Sequence, residues 1–263
     1  MAKNVMITGA SHGIGAATAI AYAKNGFNVG INYYKDEDGA RATAAKVAEC
    51  GMKAEIYRAD VADNSQCEEM LEKFIADFGK IDVMINNAGG ALKMPAGGFA
   101  DMPIEYWDYQ IKLNLSHAAY CSRIAVRDFL KNKTEGRIIN ISSVHSIITY
   151  VKRKTIPYCA AKAGLAMFTK SLACEVAKDN INVNCVAPGF IMTKLSTRYS
   201  EDEMAAFKRR IPVGRLGCVD DITPMILFLG DVEKTRFITG QTFVVDGGQS
   251  IDGMLDIMYG KID

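Results

Sequence analysis

The chain has 263 residues, 49% of them hydrophobic and 23% charged, with a net charge of +1. That balance supplies a large apolar core and gives no reason to expect a nucleic-acid or membrane partner. Seven cysteines are scattered without a Cys-x-x-Cys pair, and His12, His117 and His145 lie far apart, so no zinc or redox motif and no metal-ligand spacing is visible. The opening Met-Ala-Lys-Asn runs straight into a strand-like segment, without an apolar signal region or any stretch long enough to span a bilayer. Together with cysteines suited to a reducing compartment, this predicts a cytoplasmic protein.

Strand-like and helix-like segments then alternate. Strands are predicted at residues 5–8, 27–32, 54–58, 81–86, 137–142, 182–188 and 242–246. Helices are predicted at 15–25, 39–50, 65–78, 104–130 and 158–178, with Gly26 and Gly51 just past the first two. A looser region at 91–101 holds glycines and Pro95. Residues 191–219 break the rhythm; they are charged, and read as a helical excursion over the ligand site and a candidate lid. Strands separated by helices of this length imply βαβ units, and several strands are apolar throughout, as in a sheet covered on both faces. The expected fold is α/β: one domain over residues 1–263, a Rossmann-type doubly wound sheet of about seven parallel strands with helices on both faces.

Two local patterns carry chemistry. Thr8-Gly-Ala-Ser-His-Gly-Ile-Gly15 follows the first strand and opens a helix. Its glycines at 9, 13 and 15 permit a tight turn and a close backbone approach to a pyrophosphate at the helix N-terminus. An enzyme preferring NAD usually carries an acidic residue at the end of the second strand, for the ribose 2′-hydroxyl. This chain has Asn32-Tyr-Tyr-Lys35 there, and its first carboxylate is Asp36. Lys35 and His12 are available as donors to a 2′-phosphate, so NADP(H) is favoured over NAD(H). The second pattern is Tyr158 and Lys162, four residues apart on one helix face. An ammonium beside a phenol favours the phenolate and lets a tyrosine act as acid or base near neutral pH.

Further segments stand in register with these: Asp60-Val61, Asn86-Asn-Ala-Gly89, Asn114, Ser142-Ser143, Pro188-Gly189 and Val245-Asp-Gly-Gly248. With them, the chain resembles the short-chain dehydrogenase/reductases over nearly its whole length. The resemblance implies hydride transfer between a nicotinamide cofactor and a small-molecule carbonyl or alcohol. It implies that Tyr158 is the general acid/base, that Ser143 hydrogen-bonds the reacting oxygen, and that Lys162 holds the nicotinamide ribose and tunes the tyrosine. It places Asn114 at a helix irregularity that links the lysine to a water relay. Ser142 is the rival of Ser143, but neighbouring strand residues point to opposite faces, and the family's serine stands just before the Val144 position. The resemblance puts Asp60 at the adenine with the Val61 backbone beside it, Asn87, Ala88 and Gly89 at the adenosine ribose and strand four, and Ile191 and Thr193 at the carboxamide. The expected cofactor set is Gly9, Ser11, His12, Gly13, Ile14, Gly15, Tyr34, Lys35, Asp60, Val61, Asn87, Ala88, Gly89, Tyr158, Lys162, Pro188, Gly189, Ile191 and Thr193, with no metal.

Ser143 and Tyr158 are fifteen residues apart, about two more than is usual in the family, and the longer loop contains Val151-Lys-Arg-Lys154. Lys152, Arg153 and Lys154 suit an anionic tail on a bulky substrate. A hydroxysteroid or other bulky alcohol is therefore one expected substrate. Asn32-Tyr33 and Ser142-Ser-Val-His145 resemble glucose-type sugar dehydrogenases. In 3-oxoacyl carrier-protein reductases an arginine often follows Ser-Leu-Ala, where this chain has Cys174. A catalytically silent NADP-binding sensor is the alternative outside enzymes, and the four filled catalytic positions argue against it. The helices at 104–130 and 158–178 are apolar on more than one face, which suggests a buried subunit contact; the resemblance, in whose family these helices commonly pair into dimers and tetramers, implies a homotetramer, with a dimer second.

Overall fold

The computed structural model describes residues 2–92, 98–149, 155–193 and 200–251. The apolar strand segments form β1 (Lys3–Ile7), β2 (Phe27–Tyr33), β3 (Ala54–Arg58), β4 (Val83–Asn86), β5 (Arg137–Ile141), β6 (Asn182–Pro188) and β7 (Thr242–Val245). They make one seven-stranded sheet in the order β3-β2-β1-β4-β5-β6-β7. Every neighbouring pair is parallel. The order reverses between β1 and β4, which opens a crevice beyond their carboxyl ends, where ligands bind in sheets of this kind.

Helices α1 (Gly13–Lys24), α2 (Glu37–Glu49), α3 (Asn64–Phe78), α4 (Ile104–Ile111), α5 (His117–Asn132) and α6 (Ile156–Val176) cover the two faces. Side chains alternate across each strand, so one strand feeds two cores. On β1, Val5 and Ile7 join Ala19 and Tyr22 of α1 and Val47 of α2 on one face. Met6 joins Leu71 and Phe74 of α3 and Phe129 of α5 on the other.

The stretch expected as one helix over 104–130 is two helices joined by a π-helical turn, Lys112–Ser116. Asn114 lies inside that turn and is fully buried. Within the 191–219 segment, α7 (Glu201–Arg209) starts on a capping box in which Ser200 Oγ accepts from the Glu203 amide and the Glu203 carboxylate accepts from the Ser200 amide. Two further helices, α8 (Val219–Gly230) and α9 (Val232–Thr235), precede β7, where the sequence reading assigned no element. Pro224 sits inside α8, and the segment around it is apolar on nearly all sides, so neither a helical period nor an uninterrupted helix is legible there. Ile222, Ile226 and Leu229 of α8 complete the core over α1.

Phe74 is completely buried, edge-on to Tyr57 at 6.1 Å and against Phe78 at 4.7 Å. Its ring fills the space that a side chain on Gly30 of β2 would need. Phe74→Ala is expected to cost about 3–5 kcal/mol, read as a lower urea midpoint; a loss under about 1 kcal/mol would show that this half of the core repacks freely.

Candidate active site

The glycine turn is held from both neighbouring strands. Thr8 Oγ1 accepts from the Asn87 and Ala88 amides at 2.9 and 3.0 Å, and Asn87 Nδ2 donates to the Thr8 and Gly9 carbonyls. On the other side Asn32 Oδ1 accepts from the Gly9 amide, while its Nδ2 donates to carbonyls of β2, β3 and the residue that follows β3. Gly9 has φ +63°, and a Cβ there would stand 2.9 Å from the Ala88 backbone. At Gly15 a Cβ would collide with the Gly9 carbonyl and Asn87. The turn is therefore compressed between β1, β4 and the start of α1, with the first turn of α1 facing the crevice. Backbone amides at such an N-terminus form an anion cradle.

The cleft at this crevice measures about 480 Å³. Of the expected cofactor residues, Ser11, His12, Ile14, Lys35, Gly189 and Thr193 line it, with Gly9, Gly13, Tyr34, Asn87, Ala88, Gly89, Pro188 and Ile191. Gly15 lies under the turn instead. Asp60 and Val61 are not part of the lining: Asp60 Oδ1 accepts from the Ala62 amide at 3.0 Å, and Val61 is buried. Asp36 does line the cleft, but its carboxylate caps α2 through the Gly39 amide at 3.0 Å. Phe190 and Gln249 are lining residues that the sequence reading did not single out. Gln249 Oε1 accepts from the Phe190 amide at 2.8 Å, and it directly follows the Val245-Asp-Gly-Gly248 motif, which could have signalled it. Lys152, Arg153 and Lys154 fall outside the described residues.

Ser143, Tyr158 and Lys162 line the same cleft. Ser143 lies two residues beyond β5 and caps a short 3-10 turn (Val144–Ser146), its Oγ accepting from the His145 amide at 3.2 Å. Ser142 also reaches the cleft, but its hydroxyl donates to the Lys162 carbonyl at 3.0 Å and so ties β5 to α6. Lys162 is 3% exposed; its Nζ donates to the Ile141 carbonyl at 2.7 Å and lies 5.7 Å from the centre of the Tyr158 ring. Burial pushes its pKa down to about 8, with the Cys185 thiol partly opposing the shift.

Asn114 is not in the lining. Its Oδ1 accepts from the Gly90 amide at 2.8 Å and its Nδ2 donates to the Gln110 carbonyl, so the π-helical turn holds the strand-four loop from behind. His117, which opens α5, is fully buried and neither ring nitrogen has a hydrogen-bond partner. Burial first, and the Lys162 charge second, push its pKa down to about 3; the Leu113 carbonyl near the ring offsets this only in part. Among the described residues no group of three or more His, Cys, Asp or Glu is placed to hold a metal, and no helix is long and apolar enough to cross a membrane.

A family model described as enoyl-(acyl carrier protein) reductase matches residues 9–250. A 3beta-hydroxysteroid dehydrogenase of Eggerthella lenta is 37% identical, over 95% of this chain and 94% of its own. A 3-oxoacyl-[acyl-carrier-protein] reductase of Synechocystis is also 37% identical, over 94% and 96%. Among solved structures, acetoin dehydrogenase of Enterobacter cloacae superposes with a TM-score of 0.87 at 36% identity, covering 97% of this chain and 98% of that one.

His117 makes stability depend on acid. The unfolded imidazole takes up its proton near pH 6.5, whereas the buried ring stays neutral to about pH 3. Its contribution is complete above pH 6.5 and is lost as the pH falls toward 3. Between pH 7 and pH 5 the loss is about 2 kcal/mol. His117→Phe is expected to remove that part of the acid slope, compared by urea midpoints at the two pH values; parallel slopes in parent and variant would contradict it.

Proposed function

We propose that this chain, which belongs to the short-chain dehydrogenase/reductases and is thus an oxidoreductase acting on CH–OH groups, interconverts a ketone and a secondary alcohol with NADP(H) as the preferred cofactor. The observation that carries the reading is that Ser143, Tyr158 and Lys162 line the same cleft as the glycine cradle. The cradle suits a pyrophosphate: its backbone is packed too tightly for side chains at Gly9 and Gly15, and the start of α1 faces it. When bound, the nicotinamide dinucleotide gives or takes the hydride.

The chain's own groups handle the oxygen. Ser143 Oγ accepts from the His145 amide and lines the cleft, which leaves its hydroxyl proton available as a donor to a substrate oxygen. Tyr158 gives its phenolic proton to the developing alkoxide in reduction and takes one from the alcohol in oxidation. Lys162 favours the phenolate by its positive charge, and its place beside Gly89 and the Ile141 carbonyl suits it to hold a ribose hydroxyl. Ser142 and Asn114 act as positioning residues, one on Lys162 through its carbonyl and the other on the loop at Gly90.

For the cofactor's 2′-phosphate the candidates are Lys35 and His12. The Asp36 carboxylate is engaged by the first turn of α2, and Glu37 is paired with Arg41, which lowers its pKa; both are partly neutralised as rivals. We read α7 as a flap on the nicotinamide side, since Phe207 stacks on the lining residue Phe190 at 4.5 Å. A homotetramer in the cytoplasm remains our reading of its assembly and location. Ile104 of α4 and Met167 of α6 are apolar residues left at the surface, 63% and 61% exposed, and support it.

Tyr158→Phe removes the proton donor and keeps the ring. Turnover of a panel of ketones, followed by nicotinamide absorbance, is expected to fall at least about 100-fold with cofactor affinity nearly intact; near-normal turnover overturns the reading. In the same assay Lys35→Ala is expected to weaken NADPH by roughly tenfold while leaving NADH within about twofold. An equal change for both cofactors would remove Lys35 as the phosphate contact.

A further inference from the structure

Past the end of β6 the chain runs through Gly189, Phe190, Ile191 and Thr193, all of which line the cleft. The start of this segment is tied to β7 and the residues after it. The Gly189 amide donates to the Val245 carbonyl at 3.0 Å, and the Phe190 amide to Gln249 Oε1 at 2.8 Å. Its continuation is bridged to Gly217, whose amide donates to the Phe190 carbonyl at 3.0 Å and whose carbonyl accepts from the Met192 amide at 2.8 Å. Gly189, Phe190 and Ile191 also line a second cavity of about 170 Å³. The segment thus borders two open spaces, and packing by itself leaves it room to shift.

The bridge is in turn held by an ion pair that touches neither the segment nor the cleft. Arg215 Nη1 and Nη2 donate to Asp221 Oδ2 and Oδ1 at 2.6 and 2.7 Å, as a fork on a carboxylate. Arg215 Nη1 also donates to the Leu216 carbonyl at 3.2 Å, and Asp221 Oδ2 accepts from the Cys218 amide at 2.8 Å. These bonds grip the two peptide groups that flank Gly217. The Leu216–Gly217 peptide carries the N–H bonded to Phe190, and the Gly217–Cys218 peptide carries the C=O bonded to Met192. One ion pair therefore orients both planes of the bridge. We propose that Arg215 and Asp221 are positioning residues that fix Ile191 and Thr193, and through them the nicotinamide end of the bound dinucleotide. An exposed ion pair adds little to stability as a rule, and these side chains are 55% and 31% exposed. What this pair supplies is direction, since a guanidinium fork is planar and rigid where a lysine is a point charge. The Arg215 guanidinium also holds the Asp221 carboxyl well below the usual carboxylate range, so the clamp stays charged at any pH used for assay.

The inference rests on the reading that Ile191 and Thr193 face the nicotinamide carboxamide, but it fails separately from it. The quantity to measure is a ratio of affinities. Its numerator is the reduced dinucleotide that the parent prefers, NADPH or NADH. Its denominator is the matching ADP-ribose, with or without the 2′-phosphate, which lacks the nicotinamide. Arg215→Ala is expected to lower this ratio at least about fivefold, with the fragment's own affinity within about twofold of the parent's. At saturating cofactor its kcat is expected to fall at least about tenfold. Arg215→Lys is expected to recover only part of both, because it restores the charge without the fork. Thermal melting of each variant reports folding independently. Thr193→Ala is expected to lower the same ratio. An unchanged ratio in Arg215→Ala beside a lowered one in Thr193→Ala overturns the clamp alone. Equal weakening of dinucleotide and fragment in Arg215→Ala also overturns it, because that is general loosening of the fold. If the ratio is unchanged in both variants, the placement of the carboxamide falls and the clamp's role falls with it.

Discussion

Keeping the Lys162 ammonium out of water is the constraint on which the rest of the site depends. A buried cation without compensation is among the costliest groups a fold can hold. Here the compensation that the structure shows is small and specific: one carbonyl of β5 at 2.7 Å. The remaining surroundings are arranged not to make matters worse. His117 stays neutral, and Gly89 leaves room where a Cβ would stand 3.3 Å from Nζ. An ammonium held with so little compensation is poised for negative partners, and the cleft above it is where such partners arrive.

The sheet makes that arrangement rigid. Ile141 and Ser142 lie at the end of β5, Cys185 lies in β6, and Lys162 descends on them from α6. Two strands away the same sheet ends in Thr8, whose hydroxyl receives two amides of the β4 loop. Both ends of the cleft therefore rest on one set of parallel ladder bonds, and their separation changes only if the sheet does. The π-helical turn adds the third support. Widening one helical turn brings Asn114 inward to meet Gly90, which a regular helix over 104–130 would not do.

The walls of the substrate end are built differently. They come from the turn after β5, from the segment after β6 and from Phe190, which α7 covers through Phe207. These are connections, and connections tolerate change better than strands do. Lys162 itself is carried by α6 and anchored on the end of β5, so these connections can vary without disturbing it.

What the sequence determined by itself was the local chemistry. Apolar runs separated by helical segments marked the seven strands found among the described residues, and the glycine turn and the Tyr158–Lys162 pair were legible because each needs a particular residue type at a fixed offset, whereas Asn87 and Ser143 were singled out through the family resemblance. The reading went no further where the cause is not local. The helix over 104–130 looked continuous because a π-helical turn has no side-chain signature of its own; its buried Asn114 is bonded to Gly90 across the fold. α8 was invisible because its exposed face carries Pro224 and Phe228 rather than a polar stripe. That the Ser142 hydroxyl is tied to the Lys162 carbonyl was decided by α6 packing against the end of β5. Likewise, nothing in the spacing of His117 or His145 distinguished them. Tertiary packing sealed the first beside a cation and put the second against the Tyr158 ring, because strands distant in sequence end side by side.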